Sequence, residues 1–399
     1  MKKILTIKKT IEAFDKILNV EGDKSLSIRW VLISSLSKKK STSYNLLKSE
    51  DVYNAISCIK KLGSKVTIKK NKCEIIGTGF NNNKVHKKLT LNAGNSGTLG
   101  RLILGLLINF EEELKLKGDK SLSLRDFSRV TTPLKKFGAK FKSKKNGLPI
   151  IMNGILKPKA INYTEQKGSA QCKTSVMFAA LKSEGITKIK AKKSRNHTEL
   201  LFKYLKIPIT IKKNKNYDFI NVKGVKSINS LNYKIPGDIS SCAFFIVLTI
   251  LSKNSKIKIK DINVNPSRIG IINILKKMGG LIKITNKRKY KGEIVGDIFV
   301  KSTKNLKAIN CPTNLNSSAI DEFLIIFLVA AKSKGISFFK DISELNQKES
   351  PRLIWGSKIL NLMGIKNILT KDSIKIYGNP DLKVKKSIEI KNFLKDHRV

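Results

Sequence analysis

Cysteine and histidine are scarce in this chain, and their positions exclude two classes at once. The five cysteines (58, 73, 172, 242 and 311) show neither Cys-x-x-Cys pairing nor metal-ligand spacing. The three histidines (86, 197 and 397) are too scattered for a zinc site. A reduced, metal-free protein with no cofactor, resident in the cytoplasm, is expected. Long hydrophobic runs are missing too. The longest, 242–251 (with one Thr) and 323–331, are too short to cross a bilayer and read as buried helices. At the N-terminus, Ile4-Leu5-Thr6-Ile7 runs straight into more lysine, leaving no apolar signal region.

Acidic residues are few: 29 against 80 basic ones, a net charge of +51 over 399 residues. Such a balance first suggests nucleic acid. Yet the lysines are spread everywhere without interleaved aromatics, which argues against a strand-binding groove. Asn and Ile are abundant as well, and the three types share A/T-rich codons, so most lysines read as solvated faces. Arginine is the rarer cation, with nine residues. Guanidinium is favoured where planar, bidentate anion recognition is needed. Arg29, Arg101, Arg125, Arg195, Arg268, Arg352 and Arg398 lie in segments with turns and hydroxyls; Arg129 and Arg288 do not, and read as surface residues.

What is present is a repeat. Gly-Asp-Lys-Ser-Leu-Ser-Ile-Arg at 22–29 returns at 118–125 with Leu for Ile. If the turn opens a helix, Ser25 and Arg29 share one side of it, where hydroxyl, backbone N–H groups and cation suit an anion. The same grammar recurs along the chain. Helices are predicted at 28–36, 51–62, 99–108, 172–181, 239–251, 268–278 and 321–331, alternating with short strands such as 66–68, 74–76 and 89–91. Several helices end in an apolar residue and glycine (62–63, 137–138, 278–279, 363–364), which fits a glycine C-cap. An α/β protein of repeated units follows, long enough for two domains.

Several segments carry possible chemistry. Asn95-Ser96-Gly97-Thr98 and Gly168-Ser169-Ala170-Gln171 are turns ahead of helices, able to cradle an anion or merely to cap. Neither is a Walker loop. Residues 194–199 open a helix as an anion site or a capping box. Asp321-Glu322 begins an apolar helix as a functional pair or a dipole partner. Lys348, Glu349 and Arg352 form a charged stretch that is either a site or a solvated face.

Taken in order, 22–29, 92–101, 118–125, 168–173, 194–199, 236–245, 265–268, 321–322, 348–352 and 396–398 resemble the 5-enolpyruvylshikimate-3-phosphate synthase family. Gly-Asp-Lys-Ser, Ser-Ala-Gln-x-Lys and Arg-x-His-x-Glu resemble its glyphosate-tolerant class. The resemblance implies a two-domain fold, each domain made of three βαββαβ-type repeats with helix N-termini facing the cleft. It puts 22–236 in one domain and 1–21 with 237–399 in the other. It implies a monomer that transfers the enolpyruvyl group of phosphoenolpyruvate to the 5-hydroxyl of shikimate 3-phosphate and releases phosphate. By resemblance Asp321 handles the hydroxyl and Glu349 the methylene, with Lys24 and His397 assisting. Shikimate 3-phosphate is matched to Lys24, Ser25, Arg29, Ser169, Ala170, Ser194, Asp321 and Lys348. Phosphoenolpyruvate is matched to Lys24, Gly97, Arg125, Gln171, Arg352 and Arg398.

Some positions depart from the family. Pro351 stands for the usual Asp, Asp126 for a Pro, and Glu344 for a substrate-binding Asn whose role is not carried over. Members continue for several tens of residues beyond Asp396-His397-Arg398, so a first domain left partly open, with lowered stability, is expected. The related UDP-N-acetylglucosamine enolpyruvyl transferases share fold and donor but carry a reactive Cys near 118–128, where this chain has none. A truncated inactive relative that binds anions or RNA is the alternative from another class.

Overall fold

The structure, a computed structural model, describes residues 11–80, 88–384, 396 and 398–399. Five sheets are built among the described residues, and four share one plan. Strand Lys88–Asn92 runs parallel to Glu113–Lys117, which pairs antiparallel with Ile150–Asn153, and Lys140–Ser143 closes the edge. Helix Gly97–Leu106 makes the first crossover and Ser128–Lys136 the second. A parallel pair needs such a crossover, whereas the closing antiparallel pair needs only a hairpin. The unit therefore reads β-α-β-α-β-β, rather than the βαββαβ order expected.

The sheet from Asn162–Glu165, Ile186–Lys192, Tyr217–Lys223 and Ile209–Lys213 repeats that plan. Two further sheets borrow their first strand from elsewhere in the chain. Asp15–Leu18 pairs parallel with Lys256–Asn263, and Tyr233–Lys234 pairs parallel with Ser41–Tyr44. The fifth sheet, Gly335–Phe339, Ile374–Gly378 and Asn367–Leu369, is three-stranded.

Buried apolar residues gather in two clusters. One takes members from Leu26 to Ile235; the other runs from Ile239 to Ile376 and has Phe14, Leu18 and Val20 packed against it. Three sheets surround the first cluster and two the second, among the described residues. The chain passes between them at two adjacent places, where Gly22 and Gly237 form a β-bridge. A Cβ on Gly22 would sit 2.1 Å from the Asn45 carbonyl oxygen, so only glycine fits there.

The alternating apolar positions explain the helices. In Glu50–Lys61, Val52, Ala55, Ile56 and Ile59 are buried, and Gly63 follows at φ 91°. Ile239–Leu251 is almost wholly apolar, buries Cys242, Ile246 and Ile250, and leaves Phe244 and Phe245 partly exposed. No helix among the described residues is long and apolar enough to cross a membrane. All five cysteines are free and buried, and no group of His, Cys, Asp and Glu among the described residues has metal-binding geometry.

Candidate active site

The repeated octapeptide builds the same cap twice. Asp23 accepts from the Leu26 N–H at 2.9 Å, and Asp119 from the Leu122 N–H at 2.8 Å. The first copy opens a twelve-residue helix, Lys24–Ser35, while the second makes one turn, Lys120–Ser123. Packing decides the difference: Ile28 is buried, whereas its counterpart Leu124 is 82% exposed.

In the first helix Arg29 is buried, and its guanidinium donates to Thr198 Oγ1, Thr174 Oγ1 and the Ser25 carbonyl at 2.9–3.1 Å. No carboxylate lies within ion-pair distance of it among the described residues. Burial lowers its pKa to about 10, partly offset by the more distant Glu199 and Asp23. A buried cation held only by neutral groups suits an incoming anion. Ser25, Ser169 and Ala170 are half-buried at two helix starts, Ser169 capping the Cys172 N–H. Ser194 Oγ is buried without a hydrogen-bond partner among the described residues.

A second cradle forms where helix Gly97–Leu106 meets Ala170–Ala180. Arg101 donates to Gln171 Oε1 at 2.8 Å, and the Gln171 amide donates to Thr98 Oγ1 at 2.9 Å. Arg125 reaches in from the end of the short helix and donates to Asn95 Oδ1 at 3.0 Å. A Cβ on Gly97 would lie 2.9 Å from Nη1 of both Arg101 and Arg125, so a side chain there would push both guanidiniums aside. Two guanidiniums therefore share one helix start.

The two carboxylates converge on one guanidinium. Arg352, at the first position of helix Arg352–Leu362, donates to Asp321 Oδ1 at 3.3 Å and to Glu349 Oε2 at 2.5 Å. Asp396 holds Arg352 from behind, at 3.0 Å from Nε, and also accepts from Ser350 Oγ. Asp321 takes further contacts from Arg195 at 2.6 Å and Lys348 at 3.3 Å. Burial alone would raise Asp321, but Arg195, Lys348, Arg352 and Arg398 overcome it and hold the carboxyl well below its usual range. For Glu349 burial is likewise overridden, by Arg352, Lys24, Arg125 and Lys348, bringing it down to about 2. Arg125 Nη1 stands 3.9 Å from Glu349, and Ser121 Oγ donates to the Glu349 carbonyl.

These contacts join the two halves. Arg125, Ser121 and Arg195 belong to the first cluster's side, Asp321, Glu349 and Arg352 to the second. Lys24 Nζ lies 3.9 Å from Asp51, while its charge also reaches Glu349. Arg398 donates to the Ser240 carbonyl at 3.0 Å. His397 lies outside the described residues.

The reading of Arg129 as a surface residue is corrected. It bridges Glu165 at 3.4 Å and Glu344 at 3.6 Å, one on each side, so its charge is spent on an interdomain tie. Arg288, half-exposed beside Asp261, is the surface residue expected. Site partners that sequence reasoning left without a role are Arg101, Arg195, Asp396 and the threonines around Arg29. The rarity of arginine had marked the first two; nothing local marks Thr174 or Thr198.

An EPSP synthase (3-phosphoshikimate 1-carboxyvinyltransferase) family profile matches residues 8–399. The 3-phosphoshikimate 1-carboxyvinyltransferase of Ruthia magnifica is 38% identical over 363 residues, covering 90% of this chain and 82% of that protein. That of Thermoanaerobacter sp. strain X514 is 39% identical over 387 residues, 96% of this chain and 88% of that one. The solved EPSP synthase of Acinetobacter baumannii superposes with a TM-score of 0.79 at 32% identity, covering 91% of this chain and 82% of that one. The enolpyruvyl transferase NikO of Streptomyces tendae shares the fold, at a TM-score of 0.68 and 10% identity over 91% of this chain and 81% of that one.

Proposed function

The chain belongs to the EPSP synthase family, and we propose from that premise how its residues divide the work. The reaction is transfer of the enolpyruvyl (1-carboxyvinyl) group of phosphoenolpyruvate to the 5-hydroxyl of shikimate 3-phosphate, with release of phosphate. The observation that carries the reading is Arg352, flanked by Asp321 and Glu349 inside a ring of cations drawn from both halves of the chain.

The enol carbon is attacked rather than phosphorus. The protein must therefore take a proton from the hydroxyl, deliver one to the methylene, and later reverse the methylene step as phosphate leaves. Asp321 is assigned to the hydroxyl and Glu349 to the methylene, with Lys24 and His397 assisting. Lys24, Ser25, Arg29, Ser169, Ala170, Ser194, Asp321 and Lys348 are assigned to shikimate 3-phosphate. Lys24, Gly97, Arg125, Gln171, Arg352 and Arg398 are assigned to phosphoenolpyruvate. Each charge-assisted hydrogen bond contributes about 1.5–3 kcal/mol.

A carboxylate as acidic as Asp321 is a poor base. The remedy lies in its partners, because Lys348 and Arg352 are themselves assigned to substrate. As phosphate and carboxylate groups recruit those cations, their hold on Asp321 weakens and its basicity rises toward the working range. The same exchange frees Glu349 from Arg125 and Lys24. Substrate binding thus switches on both groups.

Residues 22–236 are read as one domain and 1–21 with 237–399 as the other, in keeping with the two separate cores. The motifs at 22–25, 169–173 and 195–199 favour the glyphosate-tolerant class, and inhibition by glyphosate tests it. A monomer in the cytoplasm is the reading, the five free cysteines suiting a reducing compartment. The decisive experiment for the reaction measures phosphate release with both substrates and with each alone. Release that depends on both is expected; equal release without shikimate 3-phosphate refutes the transfer.

A further inference from the structure

Asn265-Pro266-Ser267-Arg268 is left without a task by the assignments above. Its arginine occupies the place where the chain passes between the two halves. Arg268 is 2% exposed, and its Nη1 lies 3.2 Å from Asp23 Oδ2. Nη2 donates to Asp238 Oδ1 at 3.1 Å and to Ser240 Oγ at 3.0 Å. Both aspartates are helix N-caps, one in each half: Asp23 for Lys24–Ser35, Asp238 for Ile239–Leu251. Asp238 Oδ2 also accepts the Lys24 backbone N–H at 3.1 Å. One guanidinium therefore pins two helix starts from opposite halves to a single point.

We propose that Arg268 is a positioning residue for the transfer reaction, holding Lys24 and Ser25 in register with the half that carries Asp321. The inference rests on the assignment of Lys24 and Ser25 made above. Its physical basis is charge. Arg268 separates two buried carboxylates that otherwise share one small volume. Without it one of them must take up a proton or move away, and either outcome displaces the first turn of the Lys24 helix. Other charges facing this cluster are His197, Arg195 and Arg29 toward Asp23, and Glu322 and Asp321 toward Arg268. His197 is itself committed to Glu293 at 2.7 Å.

The test uses full-length protein carrying Arg268→Gln, Arg268→Lys, or Arg268→Gln with Asp23→Asn. Asparagine still caps the helix but removes one negative charge. Phosphate release is measured against both substrates from about pH 5.5 to about pH 8.5, alongside thermal unfolding. Arg268→Gln is expected to raise the KM for shikimate 3-phosphate and lower kcat, each by about tenfold or more. Its activity should climb toward low pH, relative to the parent, as one aspartate takes a proton. The double variant should recover most of the loss and abolish that pH trend, and Arg268→Lys should fall between.

A lowered melting temperature with parental kcat, KM and pH profile overturns the inference, since a purely structural role moves only the first. So does a double variant no better than the single one. If Arg268→Gln fails to fold, Arg268→Lys decides: an unchanged KM for shikimate 3-phosphate overturns the inference, and a raised one supports it. Parent protein that releases no phosphate refutes the functional reading and this inference together, whereas an active parent with unaffected variants refutes this inference alone.

Discussion

Replacing Asp321 by Asn tests the site most directly, because it removes a charge while keeping the shape. Asp321 faces Arg195 at 2.6 Å and both Lys348 and Arg352 at 3.3 Å. A base positioned on the reacting hydroxyl is worth about 10²–10⁴ in turnover, or about 3–5 kcal/mol of barrier. The second consequence runs the other way. A unit-charge pair about 4 Å apart near a protein surface interacts by about 4 kcal/mol, and solvent at this 20%-exposed side chain discounts that heavily. If about 1.4 kcal/mol survives, cations released from Asp321 bind a phosphate group about tenfold more tightly. Asp321→Asn should thus lower kcat by about 10²–10⁴ while lowering, not raising, the dissociation constant of shikimate 3-phosphate. Phosphate release under saturating substrates gives the first number and calorimetry the second. Thermal unfolding with and without shikimate 3-phosphate checks the fold, and the ligand-induced rise should exceed the parent's. Turnover near the parental value removes Asp321 from the chemistry. A weakened affinity refutes the idea that it competes with shikimate 3-phosphate for Lys348.

Arg125→Ala should weaken phosphoenolpyruvate binding by about tenfold to a hundredfold and leave shikimate 3-phosphate nearly untouched; equal losses by titration contradict the division of ligands. Arg29→Met, which replaces a buried cation lacking a carboxylate partner, should leave the melting temperature unchanged or raised while shikimate 3-phosphate binding falls by at least about a hundredfold. Retained binding removes Arg29 from the site. Glu349 has a folded-state pKa depressed to about 2 from an ordinary 4.5, so its contribution is present above pH 4.5 and is lost as pH falls toward 2. Melting curves across that window should be shallower for Glu349→Gln than for the parent, and identical slopes refute the ion pairs drawn around it.

Local chemistry was readable where a few neighbouring residues settle it. The helix over 50–61 and its stop at Gly63 follow from spacing and turn residues alone, as does the Gly-Asp turn ahead of the first helix, although that helix begins at Lys24, four residues before the start expected. The scarcity of arginine singled out Arg101, Arg125, Arg195, Arg268 and Arg352, all of which lie in charged or polar networks at the junction of the two halves. The length of the second octapeptide's helix was not readable, since it depends on whether a distant surface covers Leu124. Nor was the tie from Arg129 to Glu165 and Glu344, whose members are 36 and 215 positions away in the chain.

What the residue order determined by itself is the repeated α/β grammar, the turns from which several helices open, and the rare guanidiniums that stand out as candidate anion ligands. These are matters of backbone propensity and side-chain chemistry within a few residues. Tertiary structure alone decided that Arg195 would face Asp321, that Asp396 would brace Arg352, and that Arg268 would join two caps from opposite halves. Such pairings depend on burial and on contacts between residues 30 to 245 positions apart, where the interaction between charges is set by the packed geometry and not by their spacing along the chain.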